Sequence, residues 1–553
     1  MLNFFLNVHL RYKIRKKLFF LFKNKKNFLK TNSKNLILIE FNKWSCIILS
    51  MAYVLKILRE EIDAKIYAYP ENGFLRILKP NFFTKIKWQI GVLFKLKSFG
   101  IYSALGTNKF INVENYERKA LTLKAKNKLS EIFSKVIDRS SFLNLHLENI
   151  LVGDLFYDTY LKIYHKETID IHDKNFILFL EKSILYFYFW HNFFKKNKVK
   201  AIIVSQAVYN SSIPLRIGIK FNSKCISASP FYIFSLSKKM MFYHNQFLLY
   251  KKNFLKLSSL EKTKGLKIVK KKLKEYFNGA ISLPEKATYL RHSTFVGNKE
   301  KPILFNKKSK KIKVLICAHR FSDAPHSLGI HLYDDYYQWL MSLLKISTNT
   351  NYEWYIKTHP VNSNFIDKTT EIIRDLIKTK YQNVKLISPE TPHRAILKIG
   401  INFVLTCNGS VASEYPYFDI PSINASRSNP HVDFSFSISP YSRKIYENFI
   451  NNLKKFKSKI KINKKEILQY YLMSNFYYSP SWFAYDWLKI INSFKNKNDI
   501  YRDVFYNYWM NNFSLLEHNK KLETLRNFIK SNDYVINFNH SRISFLDHLK
   551  KFN

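Results

Sequence analysis

The sequence predicts an α/β protein built from two Rossmann-like domains, with helical segments added at both ends. Three observations predict it. A strand–helix–strand run opens at Asn35, a second opens at Lys313, and residues 401–425 read as strand, tight loop, helix and strand.

The last of these organises the second half. Phe403, Val404 and Leu405 form an apolar run that reads as a buried strand, and Cys407-Asn408-Gly409-Ser410 breaks it. A short strand at 421–425 follows the Asp419-Ile420-Pro421 turn. This order sets the N-terminus of a helix, capped by Ser410, at the carboxyl end of a parallel strand, where anions bind. The alternative is an ordinary βαβ crossover without a ligand. Pro416 keeps the helix short, because an interior proline kinks or stops it.

The first domain opens with a strand at 35–40, a helix at 44–61 and a strand at 64–70. Glu40 stands at the carboxyl end of the first strand, where open α/β sheets place ligands; otherwise it is a solvated strand-end carboxylate. Residues 75–170 carry a mostly helical pattern. An aromatic-rich helix at 176–195 leads to a strand at 200–205, a loop from Gln206 to Asn210, a helix at 213–221 and a strand at 224–228. Ser205 and Tyr209 in that loop either hold an acceptor hydroxyl or cap the next helix. Residues 250–285 are lysine-rich and helical, and 286–310 lack periodicity and read as a linker.

The second domain, 311–480, carries the chemistry. Its first strand, 313–318, empties into a polar loop with His319, Arg320, Asp323 and His326. A helix at 334–344 precedes a strand at 353–357 that ends in Lys357, Thr358, His359 and Pro360. A helix at 367–380, a strand at 384–387 and a helix opened by Pro392-His393-Arg394 lead to the 401–425 stretch. In a parallel sheet the three strand exits share one edge. The tail, 481–553, is helical and aromatic.

Composition sets the limits. The chain has 553 residues, enough for two or three domains, and 46% hydrophobic with 24% charged residues is globular rather than disordered. The net charge is +51, from 91 Lys+Arg against 40 Asp+Glu. Such charge suits nucleic acid or an anionic membrane, or is lysine spread over solvated faces. Neither zinc-finger spacing nor an RNP-like aromatic strand is present, so no specific nucleic-acid partner is expected. Cys46, Cys225, Cys317 and Cys407 lie far apart without ligand spacing, and read as buried thiols in a reducing compartment. No apolar run approaches the roughly 20 residues that span a bilayer, and charges interrupt every apolar stretch of residues 1–30. A cytoplasmic protein is expected. Residues 1–34 mix Phe4, Phe5, Phe19, Phe20 and Phe22 with Lys and Arg, as a basic amphipathic helix does, either at the inner membrane face or packed on the body.

The pieces AHRFSDAPHSLG, YDDYYQWL, WYIKTHP, NGSVASEYPYFDIPSINAS and NPHVDFSF resemble the capsule polysaccharide biosynthesis family of bacterial GT-B glycosyltransferases. The likeness covers about 313–436, and is looser in the first domain (35–285). It implies a GT-B-like fold, two Rossmann-like domains facing across a cleft, and transfer of a sugar from a nucleotide-activated donor, CMP-linked for preference. The acceptor is a lipid-linked or oligosaccharide chain of a surface polysaccharide. It further implies that His359 donates to the donor phosphate with Lys357 nearby, that Asn408, Gly409 and Ser410 cradle that phosphate, and that Glu414 meets the ribose hydroxyls. Asp323 is the implied base on the acceptor hydroxyl, with His319 or His326 as rival or partner, while Glu40, Ser205 and Tyr209 hold the acceptor. No metal or other cofactor is expected. Polysaccharide assembly proteins are expected partners, and a non-catalytic member of such a complex or a basic nucleic-acid-binding protein is the alternative.

Overall fold

Strands of a parallel sheet covered on both faces are apolar at every position rather than at every second one. The strands of this chain read that way. The computed structural model describes residues 2–22, 32–113, 119–289, 292–297, 309–359, 368–478, 493–494 and 496–552. It divides into two units, one of residues 1–156, 171–241 and 480–543, the other of 157–170, 242–479 and 544–553.

Unit 1 holds β1 (Asn35–Phe41), β2 (Lys65–Pro70), β3 (Thr107–Phe110), a hairpin of β4 (His146–Leu147) and β5 (Ile150–Leu151), then β6 (Lys198–Val204), β7 (Lys224–Ala228) and β8 (Ile233–Leu236). The main sheet has the order β3-β2-β1-β6-β7-β8, parallel except for the antiparallel edge strand β8. Unit 2 holds β9 (Lys313–Cys317), β10 (Glu353–Lys357), β11 (Val384–Ile387), β12 (Phe403–Thr406) and β13 (Ser422–Asn424), all parallel in the order β11-β10-β9-β12-β13. Both sheets reverse direction beside their first strand, the Rossmann order, so each has a crevice at the carboxyl ends of its first and fourth strands. Two Rossmann-like units with helical extensions are the fold class expected from the sequence.

In unit 2 alternate strand residues feed two cores. Val314, Ile316, Trp354, Ile356, Phe403 and Leu405 pack with Trp339, Leu340 and Leu343 of the Tyr336–Thr348 helix. Leu315, Tyr355 and Val404 pack on the other face with Ile396 and Tyr415.

Two expectations need correction, and one left open is decided. The domain boundary falls at 241/242 rather than 285/286, because the helices from Tyr250 onward pack into unit 2. Gly265 of the Ser259–Phe277 helix, for instance, lies directly against Leu472. The segment read as a linker begins with core residues: Lys286 is 2% exposed, and Phe295 is buried between Phe277 and His393. Discrete anchors hold it, and these leave no periodicity. Residues 298–308 lie outside the described residues. Finally, the Leu2–Phe22 helix packs on unit 1 through Ile14, Leu18 and Phe22, spaced by four on one face. Phe22 meets Tyr53 edge-on at 5.1 Å, and the Lys17 ammonium sits 3.9 Å over the Phe513 ring. Phe22 is therefore a core residue, whereas Phe19 and Phe20 are exposed; the side chains of Phe4 and Phe5 lie outside the described residues. No described helix is long and apolar enough to cross a membrane.

Candidate functional site

The crevice of unit 2 lies where β9 and β12 end. His319 leaves β9 and stacks on Tyr336 with ring centroids 4.5 Å apart. Its Nε2 faces the Thr406 hydroxyl at 2.9 Å and accepts from the amides of Cys407 at 3.3 Å and Asn408 at 3.4 Å. Thr406 Oγ1 accepts from the Gly409 amide at 3.2 Å, so its own proton points to His319. With only donors around it, Nε2 is the unprotonated nitrogen. Burial, with His331 and His359 nearby, brings the His319 pKa down to about 3, so the ring is neutral.

The loop expected to cradle phosphate therefore spends three successive amides on Thr406 and His319. Asn408 is buried, with its amide group donating to Tyr336 at 3.3 Å. Ser410 starts the four-residue Val411–Glu414 helix, but its side chain caps none of the helix amides. Pro416 then opens a 3-10 turn, Tyr415–Phe418, ending the helix as the sequence predicts.

His326 is also committed. Its Nδ1 lies 2.5 Å from Asp158 and its Nε2 donates to the Asp334 carbonyl at 2.7 Å, while its amide meets the same carboxylate at 3.2 Å. These bonds pin the polar loop, and leave the ring no free nitrogen for an acceptor. Lys357 is buried, donates to the Pro389 carbonyl, and has its pKa lowered to about 8 by desolvation.

Glu414 departs furthest from expectation. It is 2% exposed, and its Oε1 accepts from Lys286 at 2.8 Å and Tyr276 at 3.1 Å. Burial is the largest influence and opposes its charge, but Lys286, His393 and a hydrogen bond from Ser410 together hold its pKa below the usual glutamate value. A carboxylate tied in this way is not presented to ribose hydroxyls. Three of the expected residues remain exposed at the strand exits: Asp323 after β9, His359 after β10 and Ser410 after β12. Among the described residues no three His, Cys, Asp or Glu side chains gather as a metal site would require.

The crevice of unit 1 repeats the pattern with different chemistry. Glu40 ends β1 fully buried; one carboxyl oxygen accepts from Asn42 at 3.1 Å and the other from the Ser205 amide, beyond β6, at 3.2 Å. It is not the solvated strand-end group. Desolvation raises its pKa, with hydrogen bonds from Ser205 and Asn42 pulling the other way. Tyr69 is its register partner on β2, and the Tyr69 hydroxyl is buried without a hydrogen-bond partner among the described residues. Burial and Glu40 together push the pKa of Glu71, just past β2, up to about 8. Tyr209, half-buried in the loop after β6, adopts φ +60°, a left-handed conformation that costs a non-glycine residue about 1–3 kcal/mol.

Sequence reasoning brought together His319 with the 407–409 loop, and Glu40 with Ser205. It missed Thr406, Asp158, Lys286 and Glu71. Thr406 was legible as a polar residue closing an apolar strand; the other three carry no local signal.

No protein-family profile matches the chain, and no curated protein sequence matches it. Solved structures do align over most of its length. A UDP-GlcNAc 2-epimerase from Neisseria meningitidis bound to UDP-GlcNAc aligns at 14% identity, over 82% of this chain and 100% of its own, with TM-score 0.21. A glycosyltransferase from Rickettsia africae aligns at 8% identity over 85% of this chain and 100% of its own, with TM-score 0.24. The glycosyltransferase VinC, in complex with DTDP, aligns at 8% identity over 83% and 100%, with TM-score 0.22. Likenesses of this size bear on neither reaction nor substrate. The fold rests on the two sheet orders, and to these known structures this chain is similar only in that sense.

Proposed function

We propose that this chain is a metal-independent glycosyltransferase of the GT-B kind. It transfers a sugar from a nucleotide-activated donor to a lipid-linked or oligosaccharide acceptor of a capsule or other surface polysaccharide, at the inner face of the membrane. The observation that carries the reading is the set of exposed groups Asp323, His359 and Ser410 at the exits of three parallel strands around one crevice. In this reading His359 and Ser410 donate to the phosphate of the donor, and the buried Lys357 adds positive field. Asp323 takes the proton of the acceptor hydroxyl as its oxygen bonds to the anomeric carbon and the sugar–phosphate bond breaks. Glu40 and Ser205, buried against each other, hold the loop after β6 rather than an acceptor hydroxyl. His319 and His326 hold the loops that carry these groups.

The test is calorimetric binding and transfer with CMP-, UDP- and GDP-linked sugars, CMP-linked first, on cell-envelope glycan acceptors. His359→Ala is expected to weaken nucleotide binding. Asp323→Asn is expected to lower turnover about 100-fold or more with binding retained. A chain that binds none of the nucleotides sinks the reading. Unchanged polymer in cells carrying both variants makes the chain a non-catalytic assembly partner, and tight, salt-steep RNA or DNA binding would make it a nucleic-acid protein.

A further inference from the structure

Residues 72–113 contain neither Asp nor Glu, yet residues 76–97 hold Arg76, Lys79, Lys85, Lys87, Lys95 and Lys97. Within them lies the Phe82–Leu93 helix, started by Asn81, whose side chain accepts from the Thr84 amide at 3.2 Å. One face fixes it to unit 1. Trp88 is wedged 5.0 Å from both Phe41 and Phe99, with the Arg76 guanidinium 4.3 Å over its ring. Gly91 is buried where any Cβ would run into the Phe99 ring, so the helix sits as close as a helix can.

The other face is apolar and turned outward. At 100° per residue Phe82, Phe83, Ile86, Ile90, Leu93 and Phe94 fall within an arc of about 120°. Phe82 is 72% exposed, Phe83 70%, Leu93 73% and Phe94 65%. Lys85 and Lys87 flank the arc, one on each side. Beyond the helix Lys95 and Lys97 both hold positive φ, 50° and 49°, a conformation that favours glycine, with exposed Leu96 between them. The apolar area presented is on the order of 500 Å², at the upper end for a lone soluble chain.

Charge selects the occupant. A second copy meeting this face about a two-fold axis would bring one cluster of cations against the same cluster, with no acid in residues 72–113 to offset it. An anionic lipid surface answers both features, since aromatic and aliphatic side chains enter the interface while lysines reach back to the headgroups. We propose that the outward face of the Phe82–Leu93 helix, with Phe94 and Leu96, is the surface by which this protein lies on an anionic membrane. The Leu2–Phe22 helix, whose Phe22 is spent in the core, is not the principal anchor. This inference deepens the placement at the inner membrane face in the proposed function but is argued from unit 1 alone, so vesicle binding and nucleotide-sugar transfer fail separately.

The experiment is co-sedimentation of the full chain with phosphatidylcholine vesicles, with and without 30% phosphatidylglycerol. Circular dichroism confirms the fold of each variant. Phe83→Ser with Leu93→Ser is expected to lower partitioning onto anionic vesicles at least about tenfold. Lys85→Gln with Lys87→Gln should lower it about fivefold and flatten its salt dependence. Phe83→Trp keeps the surface apolar and should be quenched by lipids brominated on the acyl chain. Undiminished pelleting of the serine pair, equal binding to neutral vesicles, or an unquenched Phe83→Trp would overturn the proposal. A dimer seen by light scattering and abolished by the serine pair would overturn it in favour of a second copy.

Discussion

Glu40 and Glu414 are both buried glutamates beside the crevice of a Rossmann-like sheet, and they are handled in opposite ways. Glu40 is given amides and a hydroxyl but no cation, so burial prevails and its pKa rises. Glu414 is given Lys286 at 2.8 Å, so charge prevails and its pKa falls. Burial alone does not settle whether a carboxyl is charged; the nearest partner does. In unit 1 the buried carboxyl is thus answered by neutral hydrogen-bond donors alone, whereas in unit 2 it is answered by an ion pair.

Removing one side of the ion pair breaks the comparison most forcibly. Lys286→Met is expected to cost about 3–5 kcal/mol in urea denaturation, because it strands a charge in the core, and Lys286→Met with Glu414→Leu should recover most of it. Thr406→Val comes next. It takes a donor from His319 and an acceptor from the Gly409 amide, and should cost about 1–3 kcal/mol with weaker nucleotide binding by calorimetry.

The pH dependence separates the units. Glu71 folds with a pKa near 8 against an ordinary 4.5, so its contribution is full below about pH 4.5 and is lost as pH rises towards 8. Glu414 is displaced the other way: its contribution is present above 4.5 and is lost as pH falls. Hydrogen exchange should show β1 loosening on the alkaline side and β12 on the acid side, and Glu71→Gln should remove the alkaline effect. The smallest effect is expected for Glu40→Gln, within about 1 kcal/mol at pH 7, because burial already disfavours the charge of this carboxyl and the amide keeps its shape. A large loss at pH 7 would mean that Glu40 is charged there.

The strands were legible because covered parallel strands are apolar throughout. β1, β2, β6, β7, β9, β10, β11, β12 and β13 were all read to within about two residues, and the loops that follow them stand at the expected edge. β3 and β8 were not; Thr107–Phe110 is more polar than a covered strand. Exposure at Asp323, His359 and Ser410 was not forecast by residue type, and neither was the commitment of His326 to Asp158. The latter pair is separated by 168 positions in sequence, and Lys286 and Glu414 by 128. Only the fold brings such groups together. The outward apolar face of the Phe82–Leu93 helix escaped for another reason: an amphipathic pattern states which residues share a face, not whether that face looks in or out.

The division into units has a consequence for synthesis. The chain passes between them at 156/157, 170/171, 241/242, 479/480 and 543/544, and unit 2 is completed only by residues 544–553. Within that last segment Phe545 packs edge-on against Tyr477 at 5.6 Å and Phe552 against Phe476 at 4.9 Å. Proteins of several domains usually fold from the N-terminus as they leave the ribosome. Here neither unit is contiguous, and the aromatic contacts of residues 544–553 with the rest of unit 2 become available only after residues 480–543 of unit 1 have been made. Until then the nascent chain carries an unfinished unit 2, and a variant lacking residues 544–553 would lose the contacts of Phe545 with Tyr477 and of Phe552 with Phe476.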